Sequence, residues 1–372
     1  MDLISALRTR YRSYLLIAAI VGIISLLLVQ FEQYVQTNDV EKADQHLSSD
    51  WQLYKRMFVT ADGRVIDTGN NNNSHSEGQG WGMLFAVKNN DQAAFDTIWH
   101  WTKENLQIRQ DPLFAWCWNA HNTTRPISDL NNATDGDLYI AWALTRAGRK
   151  WGKSEYTNTA ITIVKHTREF MTRRHAGMTV LLPGSEGFEK DEHLLLNLSY
   201  WIFPAFKEFA QIDPSPTWDE LHNSGIDLIN KTRFGQWELP SDWIVLSPSG
   251  QVELSEDFPP RFSYDAIRVP LALFWADISE QKLLEPYKNL SDHFSRLQST
   301  PAWINLEDDS VAPYQASEGF TGIIALANAA QTDGELKTTE PHVTEDQDYY
   351  SASLVMLTRQ AIEETQHHET KN

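Results

Sequence analysis

A chain of 372 residues with 41% hydrophobic residues can bury a large core, which excludes wholesale disorder. Its net charge of −19 disfavours nucleic acid as a partner, because that binding needs clustered Lys and Arg against phosphate. The 14 Trp and 12 Tyr either fill a helical core or line a groove suited to the flat faces of sugars, and the lone Cys117 excludes an intrachain disulfide.

The first element is an address rather than part of the fold. Arg8, Arg10 and Arg12 lie in a basic segment, 1–12, ahead of an uncharged apolar stretch over 13–31. At about 1.5 Å rise per residue that stretch matches the roughly 30 Å hydrocarbon core of a bilayer. The arginines predict a cytoplasmic N-terminus with the rest of the chain outside the cytoplasm. No small-x-small cleavage site follows, so a transmembrane anchor or uncleaved signal is preferred over a cleaved signal peptide or a core helix. The expected location is therefore periplasmic, anchored in the inner membrane, or secreted if the segment is cut. A polar linker over 32–49 comes next. Residues 50–365 carry no Pro- or Gly-rich boundary and read as one domain, followed by a disordered tail over 366–372.

From Trp51 onward the pattern is helical. Phe95, Ile98, Trp99 and Leu106 share a face of a helix starting near Asp91, and another helix runs over 135–147. Ser154 reads as the N-cap of a third, and Ser215-Pro216 opens a fourth with Asp219 and Glu220 in its first turn. Further helices are expected near 192–210, 264–278, 281–299, 318–331 and 347–364. Met178–Leu182 and Trp243–Leu246 are the strand candidates. Segments such as GMLFAV (82–87) and VPLALFWA (269–276) are apolar all round and must be buried, whereas others are amphipathic. Two concentric helical layers are the expected result, an all-α barrel or toroid. No fixed-period repeat supports the rival superhelical arrangement.

Acids recur where the apolar helices begin: Glu77, Asp135 with Asp137, Asp265 and Glu318. The simple reading is structural, since acids there complement the helix dipole and cap free N–H groups. Their surroundings favour chemistry. Gly78, Gly80 and Gly82 follow Glu77 at a cost in helix stability, as expected where a backbone packs tightly or leaves room for a ligand. Arg268 stands one turn after Asp265 and would hold a carboxylate ionised. If the apolar helices run parallel, all these acids gather at one end of the barrel. Paired carboxylates in an aromatic-lined cleft are the apparatus of glycoside hydrolysis.

The segment ATDGDLYIAWALTRAGRKW (133–151) resembles the signature of family-8 glycoside hydrolases. SEGQGWGM (76–83), YDAIRVP (264–270), AWCW (115–118) and NLSYWIFPAF (197–206) extend the resemblance through most of 50–330. A short chain without an appended binding module is most similar to the endoglucanases associated with bacterial cellulose synthesis. The resemblance implies an (α/α)6 barrel as the catalytic domain over 50–365, and an endo-acting, inverting cut of β-1,4-glucan. By motif, Glu77 takes the general acid's place, Asp265 the general base's, and Asp135 that of the acid binding the distorted central sugar. Trp116, Tyr200, Arg268, Trp81 and Asp137 are the implied substrate-binding residues, Trp81 standing where the family more often has Tyr. The two catalytic carboxyls are expected about 6.5–9.5 Å apart, the spacing of an inverting pair.

Alternatives keep the mechanism on chitosan, mixed-linkage β-glucan or xylan, or keep the barrel as a non-catalytic glucan-binding assembly component. The expected partners are a β-glucan, the inner membrane through the N-terminal helix, and a cellulose synthase complex. No cofactor is implied. The 12 His form no HExxH or similar ligand pattern, so no metal is expected, and His75 and His193 read as ordinary polar residues.

Overall fold

The computed structural model describes residues 49–122, 124–278, 280–297, 299–330 and 341–369, together with Ser25. By contact the chain divides into two compact units, Met1–Ser49 and Asp50–Asn372, and the ring of helices belongs to the second.

A helix over 49–58 (α1) leads into a short strand pair, β1 (Ser74–His75) with β2 (Cys117–Trp118), which brackets α2 (Ser76–Lys88) and α3 (Gln92–Asn105). Then come α4 (Thr134–Trp151), α5 (Ser154–Phe170), α6 (Phe203–Ile212) and α7 (Thr217–Lys231), followed by α8 (Arg268–Trp275), α9 (Gln281–Leu297), α10 (Glu318–Ala329) and α11 (Tyr349–Glu369). Two kinds of helix are evident. On α2 every residue from Gly78 to Val87 is buried, and on α4 every residue from Thr134 to Thr145. On α5 only Tyr156, Ala160, Ile163, Val164 and Thr167 are buried, one stripe at helical spacing. The most buried helices, joined by the amphipathic α6, form the inner ring. Helix α2 packs on α4, α4 on α6, α6 on α8, α8 on α11, and α11 returns to α2. Outside them, α3 packs on α2, α5 on α4, and α7 on α6.

Close approach inside this ring explains two glycines. A Cβ on Gly80 would lie 2.6 Å from Tyr139 Cβ, and one on Gly136 would lie 2.7 Å from the Glu77 nitrogen. Their absence of side chains lets the starts of α2 and α4 touch.

Strands occupy the loops at the rim. The largest sheet is antiparallel, in the order β5 (Glu189–Lys190), β6 (His193–Leu196), β7 (Ile244–Leu246) and β8 (Val252–Leu254). Two further pairs join β3 (Thr172–His175) to β4 (Met178–Leu181), and β9 (Arg261–Phe262) to β10 (Ile304–Asn305).

Several expectations need correction. The helix expected over 192–210 is β6, a 3-10 turn over Leu198–Tyr200, and only then α6. Its run HLLL pairs with β7, and a short apolar run does not distinguish strand from buried helix. Helix α8 begins at Arg268, because residues 264–267 form a turn. The fold as a whole is an all-α, toroid-like ring with short strands in loops. No sheet closes into a barrel among the described residues, and those residues support the ring rather than six complete helix pairs. The transmembrane helix expected over 13–31 is also withdrawn. Among the described residues no helix is long and apolar enough to cross a membrane, and all of 13–31 except Ser25 lies outside them. The inner-membrane partner and the anchored periplasmic location rested on that segment and fall with it.

Candidate active site

The N-terminal ends of α2, α4 and α8 converge on one side chain. Arg268 opens α8 with its side chain only 4% exposed. Its Nη1 contacts Glu77 Oε1 and lies 3.7 Å from Asp135 Oδ2. Its Nη2 donates to Asp265 Oδ1 at 2.7 Å and to Ser199 Oγ at 2.8 Å. Beneath the guanidinium lies Trp81, whose ring centroid is 5.7 Å from Cζ. Three acids from three separate stretches of sequence therefore share one buried cation.

Local structure delivers each acid. Glu77 is the second residue of α2, and His75 caps that helix, its Nδ1 accepting from the Gly78 N–H at 3.0 Å. Asp67 Oδ2 stands 3.4 Å from His75 Nε2 and holds the ring in that tautomer. The Ser76 N–H donates to the Trp116 carbonyl at 3.0 Å, so Glu77 and Trp116 are tied to one another by backbone. Asp135 sits in the first turn of α4, where the Gly136 N–H donates to its Oδ1 at 2.7 Å. Asp265 lies in the turn just before α8 and is 31% exposed, the most open of the three.

Burial controls the electrostatics. It pushes the Asp135 carboxyl up to about 7, against the pull of the Gly136 N–H and of His75. Burial also lifts Asp265 well above the ordinary carboxylate range, and the charges of Asp242 and Asp135 lift it further. The same desolvation lowers the proton affinity of Arg268. Three carboxyls around one guanidinium, all largely out of water, cannot all ionise near neutral pH. Asp135 and Asp265 thus hold protons to higher pH than free carboxyls do.

The remaining sequence candidates divide. Trp116 is 40% exposed, and its indole N–H donates to Asp129 Oδ2 at 2.9 Å, which fixes the ring as an open face near Glu77. Tyr200 is partly buried; burial and the charges of Asp135 and Asp265 hold its hydroxyl proton. Trp81 and Asp137 are not brought to the cleft surface. Trp81 is fully buried between Tyr139 and Tyr349 as the floor under Arg268. Asp137 is fully buried too, accepting from the Phe114 N–H at 3.0 Å and Asn132 Nδ2 at 2.7 Å.

Sequence reasoning passed over three residues here. Tyr264, beside Asp265, is 48% exposed and pairs its hydroxyl with that of Tyr314 at 3.4 Å. Asp129 orients Trp116. Asp242, in no helical pattern, is hydrogen-bonded throughout the turn that carries Asp265. Among the described residues no group of three His, Cys, Asp or Glu is arranged to hold a metal ion.

The comparisons with known proteins agree with this geometry. The model of glycosyl hydrolases family 8 matches residues 25–364. A probable endoglucanase of Novacetimonas hansenii is 38% identical over 319 residues, covering 85% of this chain and 91% of that one. Among solved structures, an endoglucanase of Klebsiella pneumoniae described as a family 8 glycosyl hydrolase superposes with a TM-score of 0.80 at 40% identity, covering 85% of this chain and 99% of its own. An endo-β-1,4-glucanase of Acetobacter xylinum gives 0.81 at 36%, covering 87% and 99%. Both solved structures match this fold over most of its length, and the chain belongs to glycosyl hydrolases family 8.

Proposed function

We propose that Glu77, Asp135 and Asp265 divide the work of hydrolysis in this family-8 chain, which is an inverting, endo-acting β-1,4-glucanase. Residues 50–365 form its catalytic domain. Glu77 is the general acid and protonates the departing glycosidic oxygen. Asp265 is the general base and takes a proton from water as that water attacks the anomeric carbon from the opposite face. The β-linked sugar then leaves as the α-anomer. Asp135 hydrogen-bonds the hydroxyls of the sugar at the centre, and Tyr200 lines the same wall. Trp116 and Tyr264 offer rings to flanking sugars.

The observation that carries this reading is the shared contact of Arg268 with all three acids. It supports two carboxyls acting on one bond, with one cation between them whose charge opposes the protonation that burial favours in the base. The guanidinium also keeps the acid and the base in register as charge moves between them during the reaction.

Glu77→Gln tests the assignment. Turnover of a soluble glucan should fall by about 10³-fold, since general acid catalysis is worth about 10²–10⁴. The KM should stay within a few fold, and NMR of the earliest products of the unmodified enzyme should show the α-anomer. Unchanged turnover in Glu77→Gln, or a β-anomer first, would defeat the assignment.

A further inference from the structure

Asp242 lies just ahead of β7, far in sequence from the other acids, and is 8% exposed. Its Oδ1 accepts from three backbone amides of one turn: Ser263 at 3.0 Å, Asp265 at 3.2 Å and Ala266 at 2.7 Å. Its Oδ2 accepts from the Ser263 hydroxyl. The turn over 263–266 leads straight into α8, whose own N-cap residue, Ile267, has no side chain able to cap. Asp242 therefore ties together, from a distant stretch of chain, the turn that leads into α8. Its N–H donates to the Arg261 carbonyl at 2.7 Å, which locks the carboxylate to the segment entering the turn.

We propose that Asp242 is a positioning residue for Asp265: its carboxylate ties down the turn that carries the base and sets a second negative charge behind it. The inference rests on Asp265 being the base. Burial raises the proton affinity of Asp242, and the four donors that converge on its two oxygens oppose that rise and favour the charged form. That charge makes ionising Asp265 harder, and a carboxylate of higher proton affinity is the better acceptor for a proton from water. The other groups facing the pair are accounted for. Arg268 touches Asp265 and opposes the effect, whereas Asp135 adds to it. Tyr200, Tyr264 and Tyr350 face the pair as neutral phenols, each with its hydroxyl proton held by burial and by the nearby acids. Tyr350 also donates to the Tyr264 carbonyl, fixing the same turn from α11.

The test is Asp242→Asn, which keeps an acceptor oxygen for the three amides and removes the charge. With a soluble glucan, kcat should fall about 10- to 100-fold while KM stays within about twofold. Asp265 must be ionised to act, and its ionisation becomes easier without the neighbouring charge. The acid limb of the kcat/KM profile should therefore move to lower pH. A fall in kcat with the limb unmoved would reduce Asp242 to scaffold and overturn the proposal. Should Asp242→Asn fail to fold, Asp242→Glu keeps the charge on a longer stem; kcat should fall with the limb in place, and a displaced limb would overturn the proposal. Asp265→Asn run in parallel separates the two levels. If that variant stays active, the assignment of the base is wrong; if it is dead and Asp242→Asn behaves like the unmodified enzyme, only the role of Asp242 is wrong.

Discussion

Helix α4 carries two ionic clusters, one near each end, and they are built on opposite principles. Toward its C-terminus, Arg146 grips Glu364 with both Nη atoms, at 2.7 and 2.9 Å, and donates from Nε to Glu208 at 2.8 Å. The indole N–H groups of Trp142 and Trp275 and the amide of Gln360 donate to the same oxygens, and Arg149 reaches the other Glu208 oxygen at 3.3 Å. Burial alone would neutralise these groups. Arg146 instead lies above its ordinary value and Glu364 below its own, because each overrides the other's desolvation. At the N-terminal end, Arg268 faces three carboxyls, and burial wins: Asp135 and Asp265 are raised and Arg268 is lowered. A charge network with its donors matched to its acceptors holds helices together, whereas one with a surplus of acids stores a proton. The molecule keeps the first for structure and uses the second for chemistry.

Removing the arginine from each cluster separates the two roles most sharply. Arg268→Met should lower kcat/KM by about 10³-fold, the upper range for losing one preorganised electrostatic partner. The three acids would then take up protons, so the stability cost should be small at low pH and grow as pH rises. Arg146→Met should act the other way. It leaves Glu364 without a counter-charge and Glu208 with only the exposed Arg149 at 3.3 Å, at a cost of about 3 kcal/mol in denaturant unfolding, the lower end of the usual range because both acids are partly solvated. The kcat of the folded variant should stay within twofold. Equal losses of activity in both variants would erase the distinction between the clusters.

Legibility in the sequence followed the same divide. Glu77, Asp135 and Asp265 stand out because each precedes an apolar helix, and helical period places those starts together once the ring is assumed. The outer helices are as readable, since α5 and α7 bury single stripes. Position along the chain does not reveal which way a side chain turns. Asp135 and Asp137 are two residues apart on α4, about 200° around a helix, so one faces the cluster and the other faces the loops at 114 and 132. Trp81, four residues after Glu77, shares its face one turn deeper and so becomes the floor beneath Arg268. Asp242 and Tyr264 belong to irregular segments, where no period exists to read, and their importance comes from contacts made across the fold. The helix expected over 192–210 failed on the apolar run that became β6.

Asp137 offers the subtlest test, because it is an acid of the active-site end that behaves as a structural one. It is fully buried, and burial pushes its carboxyl up to about 8, opposed by the bonds from Asn132 and Phe114. A folded-state value above the unfolded one, near 3.8, means the folded protein binds more protons between those limits. Asp137 then contributes stability that is fully present below about pH 4 and is lost as pH rises toward about 8, at up to about 1.4 kcal/mol per pH unit. Asp137→Asn removes the titration. The variant should be less stable at pH 5, because an amide satisfies only one of the two donors, yet its unfolding free energy should change less between pH 5 and 8. Asp135 titrates over much of the same window, so the comparison must be the difference between variant and unmodified protein at each pH. A constant difference across that window would mean Asp137 stays charged when buried, and would move it from the structural side of the divide to the surplus of acids that feeds the reaction.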